Sequence, residues 1–238
     1  MHVKSRLLAI LVAMSKVKKI RGSFIWPLLV SSGLGVALYL LRVIISRSDN
    51  YWYLSWNLFL GWLPLVYAYW LVRWLKKGRW LSVKGLVLTG LWLGFLPNSF
   101  YVLTDFIHLT RTDEIGFMFD VVMLTVFAWN GLLLGFISVY MIHKQMLKRL
   151  TNKPTNVLIG LTFLLSGFAI YLGRYLTWNT WDLIAHPGGI LLDISDRVIK
   201  PTAYPNTFTV TALFFLVLTV MYYAVYKLVA AIKSQPDN

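Results

Sequence analysis

Six stretches of the chain are runs of apolar residues with few interruptions: 25–45, 54–74, 85–109, 117–141, 156–176 and 207–230. Each is close to the roughly 20 residues a helix needs to cross about 30 Å of hydrocarbon. The pattern predicts an all-α, polytopic membrane protein with about six transmembrane helices. Aromatic residues gather where the runs end: Tyr51, Trp52, Tyr53 and Trp56 at one interface; Trp70, Trp74, Trp80, Tyr222, Tyr223 and Tyr226 at the other. The third run is interrupted by Leu96-Pro97-Asn98-Ser99, about 20 Å across the membrane counting from Lys84. Proline lacks a backbone donor and disfavours helix at the residue before it, so a third span broken or kinked at Pro97 is expected. Lipid cannot satisfy the freed backbone groups. Asn98 and Ser99 are therefore expected to cap them, or the site to face protein or water.

Charge gives the runs a direction. Lys and Arg come in bursts, Lys4–Arg21, Arg73–Lys84, Lys144–Lys153 and Lys227–Lys233, so that 17 of the 23 fall on one side of the six crossings. Eight of the nine acids fall on the other: Asp49, Asp105, Asp113, Glu114, Asp120, Asp182, Asp193 and Asp196. By the positive-inside rule the basic side is cytoplasmic, with both termini on it, and a bacterial plasma membrane is the expected location. Residues 1–24 are expected to form a basic amphipathic cytoplasmic segment, because Leu7–Met14 is short for a signal core and no cleavage pattern follows. Residues 25–232 then form one transmembrane domain, and 233–238 a short cytoplasmic tail. The formal charge of +14 does not read as a nucleic-acid groove, since the basic residues flank apolar runs. The bilayer itself is the expected partner, with anionic lipid at the basic face, while protein partners stay open. The absence of cysteine excludes disulfides, thiolate nucleophiles and thiolate metal sites.

Small residues four apart, Ser31/Gly35, Gly90/Gly94 and Gly131/Gly135, would let helix backbones approach closely. The long connection 177–206 contains His186-Pro187-Gly188-Gly189, a turn signal. After it, Leu191, Leu192, Ile194 and Val198 alternate with polar residues, which predicts a short interfacial helix ending before Pro201 with an Asp193–Arg197 pair.

Candidate chemistry lies on the acidic side. Asp105 and His108, three apart, share a helix face; they can ligate a metal, or the acid can orient the imidazole, or they can form a plain surface hydrogen bond. Asp120 lies just inside the fourth run, where an acid needs a partner or water. Asn130, deeper in, suits an interhelical hydrogen bond. Continued as helix, the end of the fifth run places Arg174, Trp178, Trp181 and Asp182 on one face, with Asn179 between them. Arg174 has three open readings: snorkelling to headgroups, pairing with Asp105 or Asp120, or clamping an anionic ligand. Asp182 and His186 form a second acid–histidine pair. Asn98, Asp105, His108, Asp120, Asn130, Arg174, Trp178, Asn179, Trp181 and Asp182 thus make a candidate polar cluster. Asp105, His108, Asp182 and His186 are the candidate metal ligands, and no cofactor is indicated.

Two strings carry a family likeness. Leu96-Pro97-Asn98-Ser99-Phe100-Tyr101-Val102-Leu103-Thr104-Asp105-Phe106-Ile107-His108-Leu109 resembles the signature of domain-of-unknown-function family 1361, bacterial multi-pass membrane proteins without an assigned activity. Tyr171-Leu172-Gly173-Arg174 and Trp178-Asn179-Thr180-Trp181-Asp182 look like that family's second signature. The likeness covers roughly 55–220. It departs from the family pattern at Ser99 and at Phe100, where a proline is usual. It implies a protein type and supplies no reaction, substrate or cofactor. The leading expectation is a binding or assembly protein with an outward-facing polar cluster, holding a lipid headgroup or envelope precursor. A membrane-embedded hydrolase, metal-dependent or acid–base, is the alternative, although no tight catalytic motif occurs. A small-solute transporter is the third reading. The broken third span favours it; the scarcity of ionisable residues at mid-membrane and the lack of inverted repeats oppose it.

Overall fold

The computed structural model describes residues 25–109 and 114–234, and helices account for nearly all of them. In chain order they are α1 (Ile25–Ser46), α2 (Trp52–Trp74), α3 (Val83–Tyr101), a 3-10 segment (Val102–His108), α4 (Glu114–Met146), α5 (Asn152–Leu176), the short α6 (Asp182–Ala185), α7 (Pro187–Ile199), a 3-10 turn (Pro201–Ala203) and α8 (Pro205–Ser234). The expected segments 1–24 and most of 233–238 lie outside the described residues.

Among the described residues five helices are long and apolar enough to span a membrane: α1, α3 with its 3-10 extension, α4, α5 and α8. The second expected span, α2, has the length, 23 residues. Eight of its residues are Trp or Tyr, which prefer the interfacial depth, so its bulk hydropathy is lower. Helix α4 is the centre of the bundle. Its spanning window is 61% buried inside the molecule, whereas those of α1 and α8 are 17% and 11% buried. Helices α2 and α3 pack on each other most extensively and both lean on α4; α1 packs on α4, and α5 joins α3 to α8. One core cluster, around Trp92, Phe100, Phe136, Phe163 and Tyr222, ties α3, α4, α5 and α8. A second, around Leu54, Leu58, Met123 and Phe127, ties α1, α2 and α4.

The third span does not break at Pro97. Helix α3 carries the proline in its interior and changes type after Tyr101, where the chain tightens into 3-10 geometry through His108. Side chains next to the proline are held by neighbours rather than by a cap. Ser99 Oγ donates to the Gly61 carbonyl of α2 at 2.8 Å, and Asn98 Nδ2 donates to Phe95 O at 3.1 Å and to Thr180 Oγ1 at 2.9 Å. The small-residue pairs divide. Gly131 and Gly135 seat α4 on the Ser99–Phe100 backbone and ring of α3, so closely that a Cβ on either would collide. Gly35 meets the Phe127 ring at ordinary contact distance, and Gly90 faces open space.

The 177–206 connection folds as α6, α7 and a 3-10 turn. The interfacial helix forms as expected, with Pro187 at its first turn and Arg197 Nη1 3.0 Å from Asp193 Oδ1. The predicted turn glycines Gly188 and Gly189 are already inside it. Thr177 closes α5 with φ 58°, a left-handed conformation that a β-branched residue rarely adopts. After it the chain meets α3, where Thr180 Oγ1 accepts from Asn98 Nδ2 and donates to the Gly94 carbonyl.

Candidate functional site

At the acidic end a cleft of about 300 Å³ opens between α2, α3, α5 and the α6–α7 connection. Arg174, in the last turn of α5, is its centre. The guanidinium donates from Nε to Thr104 Oγ1 at 2.8 Å, from Nη2 to Asp105 Oδ1 at 2.6 Å and from Nη1 to His108 Nε2 at 2.9 Å. Nη2 also contacts Thr104 Oγ1, and the guanidinium lies 4.5 Å from the centre of the Tyr101 ring. The 3-10 segment explains this convergence. At three residues per turn, Tyr101, Thr104 and the Asp105–His108 stretch come round to one edge facing α5. Thr104 is in turn fixed by donating to the Tyr101 carbonyl at 2.6 Å.

Asp105 is 1% exposed and has both oxygens engaged: Arg174 on Oδ1, and Asn57 Nδ2 on Oδ2 at 3.1 Å. A buried carboxylate held this way has its charge balanced and its lone pairs met, the condition under which burial is tolerated. The cleft's two formal charges therefore cancel within its own wall.

Ring faces and amides supply the rest of the lining. Tyr53 stands edge-on to His108, ring centres 5.4 Å apart, and its hydroxyl is buried without a partner among the described residues. Trp178 is anchored by Nε1–H donating to Asp193 of α7 at 2.7 Å, and Gly189 provides the room in which its ring rests. Asn98, Asn179 and Thr180 complete the rim.

Several predicted members lie elsewhere. Asp120 does not meet Arg174. It forms a bidentate pair with Arg42 of α1, Nε–Oδ1 2.5 Å and Nη2–Oδ2 3.1 Å, and accepts from Tyr51 at 3.0 Å. Asp105 lies on the 3-10 segment against α5, whereas Asp120 lies on the face of α4 that meets α1, which is why the two acids separate. Asn130 locks α1 to α4, donating to Ser31 O at 3.1 Å and accepting from Ser32 Oγ at 3.3 Å, while Trp62 of α2 donates to Ser32. Trp181 is surface-exposed at the start of α6 and does not line the cleft. Asp182 accepts from the Asn179 backbone N–H at 2.8 Å, which holds its carboxyl below the usual range, and pairs with His186 at 3.4 Å. The Asp182–His186 pair is thus a turn device outside the cleft.

Among the described residues no three His, Asp or Glu side chains gather to hold a metal ion. Asp105 and His108, offered as ligands by their spacing, both turn to the Arg174 guanidinium, which takes the place between them. The sequence reading missed Asn57, Thr104 and Arg42. Asn57 is the lone amide in the second apolar run, and Arg42 the lone charge near the acidic end of the first, so the signal was polarity inside an apolar run.

Apolar helices around an arginine-centred cleft at one end define a multi-pass α-helical membrane protein. The chain belongs to the family described as "Protein of unknown function (DUF1361)", whose model matches residues 56–223. No curated protein and no solved structure matches it. The matched stretch contains Asp105, His108, Arg174 and most of the cleft lining, but not Arg42, Tyr51 or Tyr53.

Proposed function

We propose that this is a plasma-membrane binding or assembly protein whose cleft opens outward and takes an uncharged, hydroxylated headgroup of a lipid or lipid-linked envelope precursor. The carrying observation is the mismatch between charge and hydrogen-bonding capacity in the cleft. Arg174 and Asp105 neutralise each other, so the site offers no spare charge for an anion. Its unused polarity consists of the Tyr53 hydroxyl and the side-chain carbonyls of Asn57, Asn98 and Asn179, which accept nothing from the described residues, framed by the faces of Tyr53, Trp56, Tyr101 and Trp178. Hydroxyl groups match such acceptors, and the apolar faces of a sugar ring match aromatic rings. The outward orientation rests on the charge bias, with Lys and Arg crowding the opposite end.

A chain without cysteine suits single-cysteine labelling. Asn179→Cys, exposed on the cleft rim, is expected to react with a membrane-impermeant maleimide on intact cells, and a short-chain glucosyl diacylglycerol is expected to slow that reaction. Labelling only after permeabilisation would reverse the orientation; labelling indifferent to the glycolipid would remove the ligand class.

The hydrolase alternative has less support, because Arg174 already engages both the acid and the imidazole that would act. The transporter alternative loses its main argument with an uninterrupted α3.

A further inference from the structure

A second concavity lies apart from the cleft and shares no residue with it. It is a groove of about 340 Å³ between α4 and α8, reaching toward the basic end. Its floor is Leu132, Phe136 and Tyr222, all buried, and its sides include Ile137, Ala224 and Val225. It exposes no polar atom. The groove exists because α8 is held by α5 and meets α4 through large ring side chains rather than by close backbone approach. Both α4 and α8 run from the acidic to the basic end, so the seam between them follows the membrane normal. From Trp129 to Tyr140 it rises about 16 Å along α4.

At its basic end the groove meets a cation. Tyr140 and Tyr226 face each other with ring centres 6.1 Å apart, and Tyr226 is stacked on His143 at 4.7 Å. The ammonium of exposed Lys144 lies 5.6 Å and 5.7 Å from those two ring centres, over the mouth. Lys148 follows one turn later on α4, and Lys227 follows Tyr226 in the sequence of α8. No acid occurs in the sequence between Asp120 and Asp182 or between Asp196 and Asp237, so no carboxylate on α4 beyond Asp120, on α5 or within α8 competes for these cations.

We infer that this groove holds one acyl chain of an anionic phospholipid whose phosphate rests against Lys144. The dimensions select a chain over a protein partner: a helix about 10 Å across does not fit a seam of this volume, whereas an extended hydrocarbon chain parallel to the spans does. The charge selects an anionic headgroup, because the one cation seated over the mouth, Lys144, faces no carboxylate on α4 beyond Asp120, on α5 or within α8. The inference is independent of the cleft and of its proposed ligand.

The test uses the full-length protein in phosphatidylcholine vesicles carrying a trace of phosphatidylglycerol with a diazirine in one acyl chain. Photolysis and peptide mapping are expected to place adducts in Trp129–Tyr140 and Met221–Val229. The same probe with a choline headgroup should label these peptides roughly fivefold less, the ratio that corresponds to about 1 kcal/mol for one interfacial lysine. Lys144→Gln should abolish that headgroup preference while leaving chain labelling. Ala224→Phe, at an exposed position, should fill the groove and reduce labelling to the level of the other exposed faces of α8. Equal labelling by the two probes, or labelling unchanged in Ala224→Phe, would overturn the inference. Quantitative disulfide-linked dimers of Ala224→Cys would also overturn it, giving the seam to a second copy.

Discussion

Two arginine–aspartate pairs tie separate elements together at the acidic end of the bundle, equally removed from solvent, and they are built differently. The Arg42 and Asp120 side chains are 17% and 2% exposed; those of Arg174 and Asp105 are 15% and 1% exposed. Burial therefore does not distinguish them. Geometry does. Arg42 meets Asp120 fork to fork, and Tyr51 closes the remaining carboxylate valence, so this pair is a staple between α1 and α4 with nothing left to offer. Arg174 gives Asp105 a single oxygen contact and spends its other donors on Thr104 and His108, at the wall of an open cleft. A saturated ion pair holds two helices together. A distributed one shapes a surface while cancelling its charge.

Breaking the staple should have the largest effect. Asp120→Ala takes the bidentate carboxylate from the half-buried Arg42 guanidinium and the acceptor from the Tyr51 hydroxyl, and is expected to cost about 3–5 kcal/mol. The double variant Arg42→Met/Asp120→Leu should recover most of that loss in thermal melts. If the single variant melts no lower than the double, the pair is not a sealed one.

The cleft pair should respond less. In Asp105→Asn the Arg174 guanidinium keeps Thr104, His108 and the Tyr101 face, and the cleft admits water, so about 1–3 kcal/mol is expected. A loss equal to that of Asp120→Ala would erase the distinction. The close seating of α4 on α3 is tested by Gly131→Ala: its methyl would collide with the Ser99 carbonyl, at an expected cost of about 1–3 kcal/mol. Gly90→Ala, facing open space, should be neutral or slightly stabilising in the same melts.

The smallest effect is in the turn that borders the cleft. The Asn179 N–H lowers the Asp182 carboxyl below its ordinary value. A depressed acid stabilises at pH above the unfolded value, about 3.9, and that stabilisation is lost as pH falls through the depressed one. Hydrogen exchange of residues 177–186 should therefore accelerate only under strongly acidic conditions. Asp182→Asn should exchange faster already at neutral pH and lose the acid dependence.

How much of this was legible in the sequence follows from the range of each interaction. Apolar runs specify spans locally, so the helices fall close to where hydropathy puts them, and the α7 pair Asp193–Arg197 follows from i,i+4 spacing alone. Asp105, His108 and Arg174 were singled out as polar residues near the ends of apolar runs, and they do meet. Which acid each arginine would take was not readable. Asp120 and Arg42 are 78 residues apart, Asp105 and Arg174 69, and the choice is made by helix order around α4, which no local pattern encodes. Pro97 misled for a similar reason. Its effect on an isolated helix is a break, but contacts from Gly61 and Thr180 hold the neighbouring residues in place.

Occupancy of the cleft by defined lipids, read by native mass spectrometry on the purified wild type and on Tyr53→Phe, bears most directly on the proposed function. The variant removes one buried, partnerless hydroxyl and leaves both ion pairs intact. Occupancy by a glucosyl diacylglycerol should fall about two- to tenfold, the worth of one hydrogen bond, while phosphatidylglycerol occupancy stays unchanged. Glycolipid occupancy that ignores the substitution, or a phosphatidylglycerol signal that falls with it, would contradict a cleft built for uncharged hydroxylated headgroups.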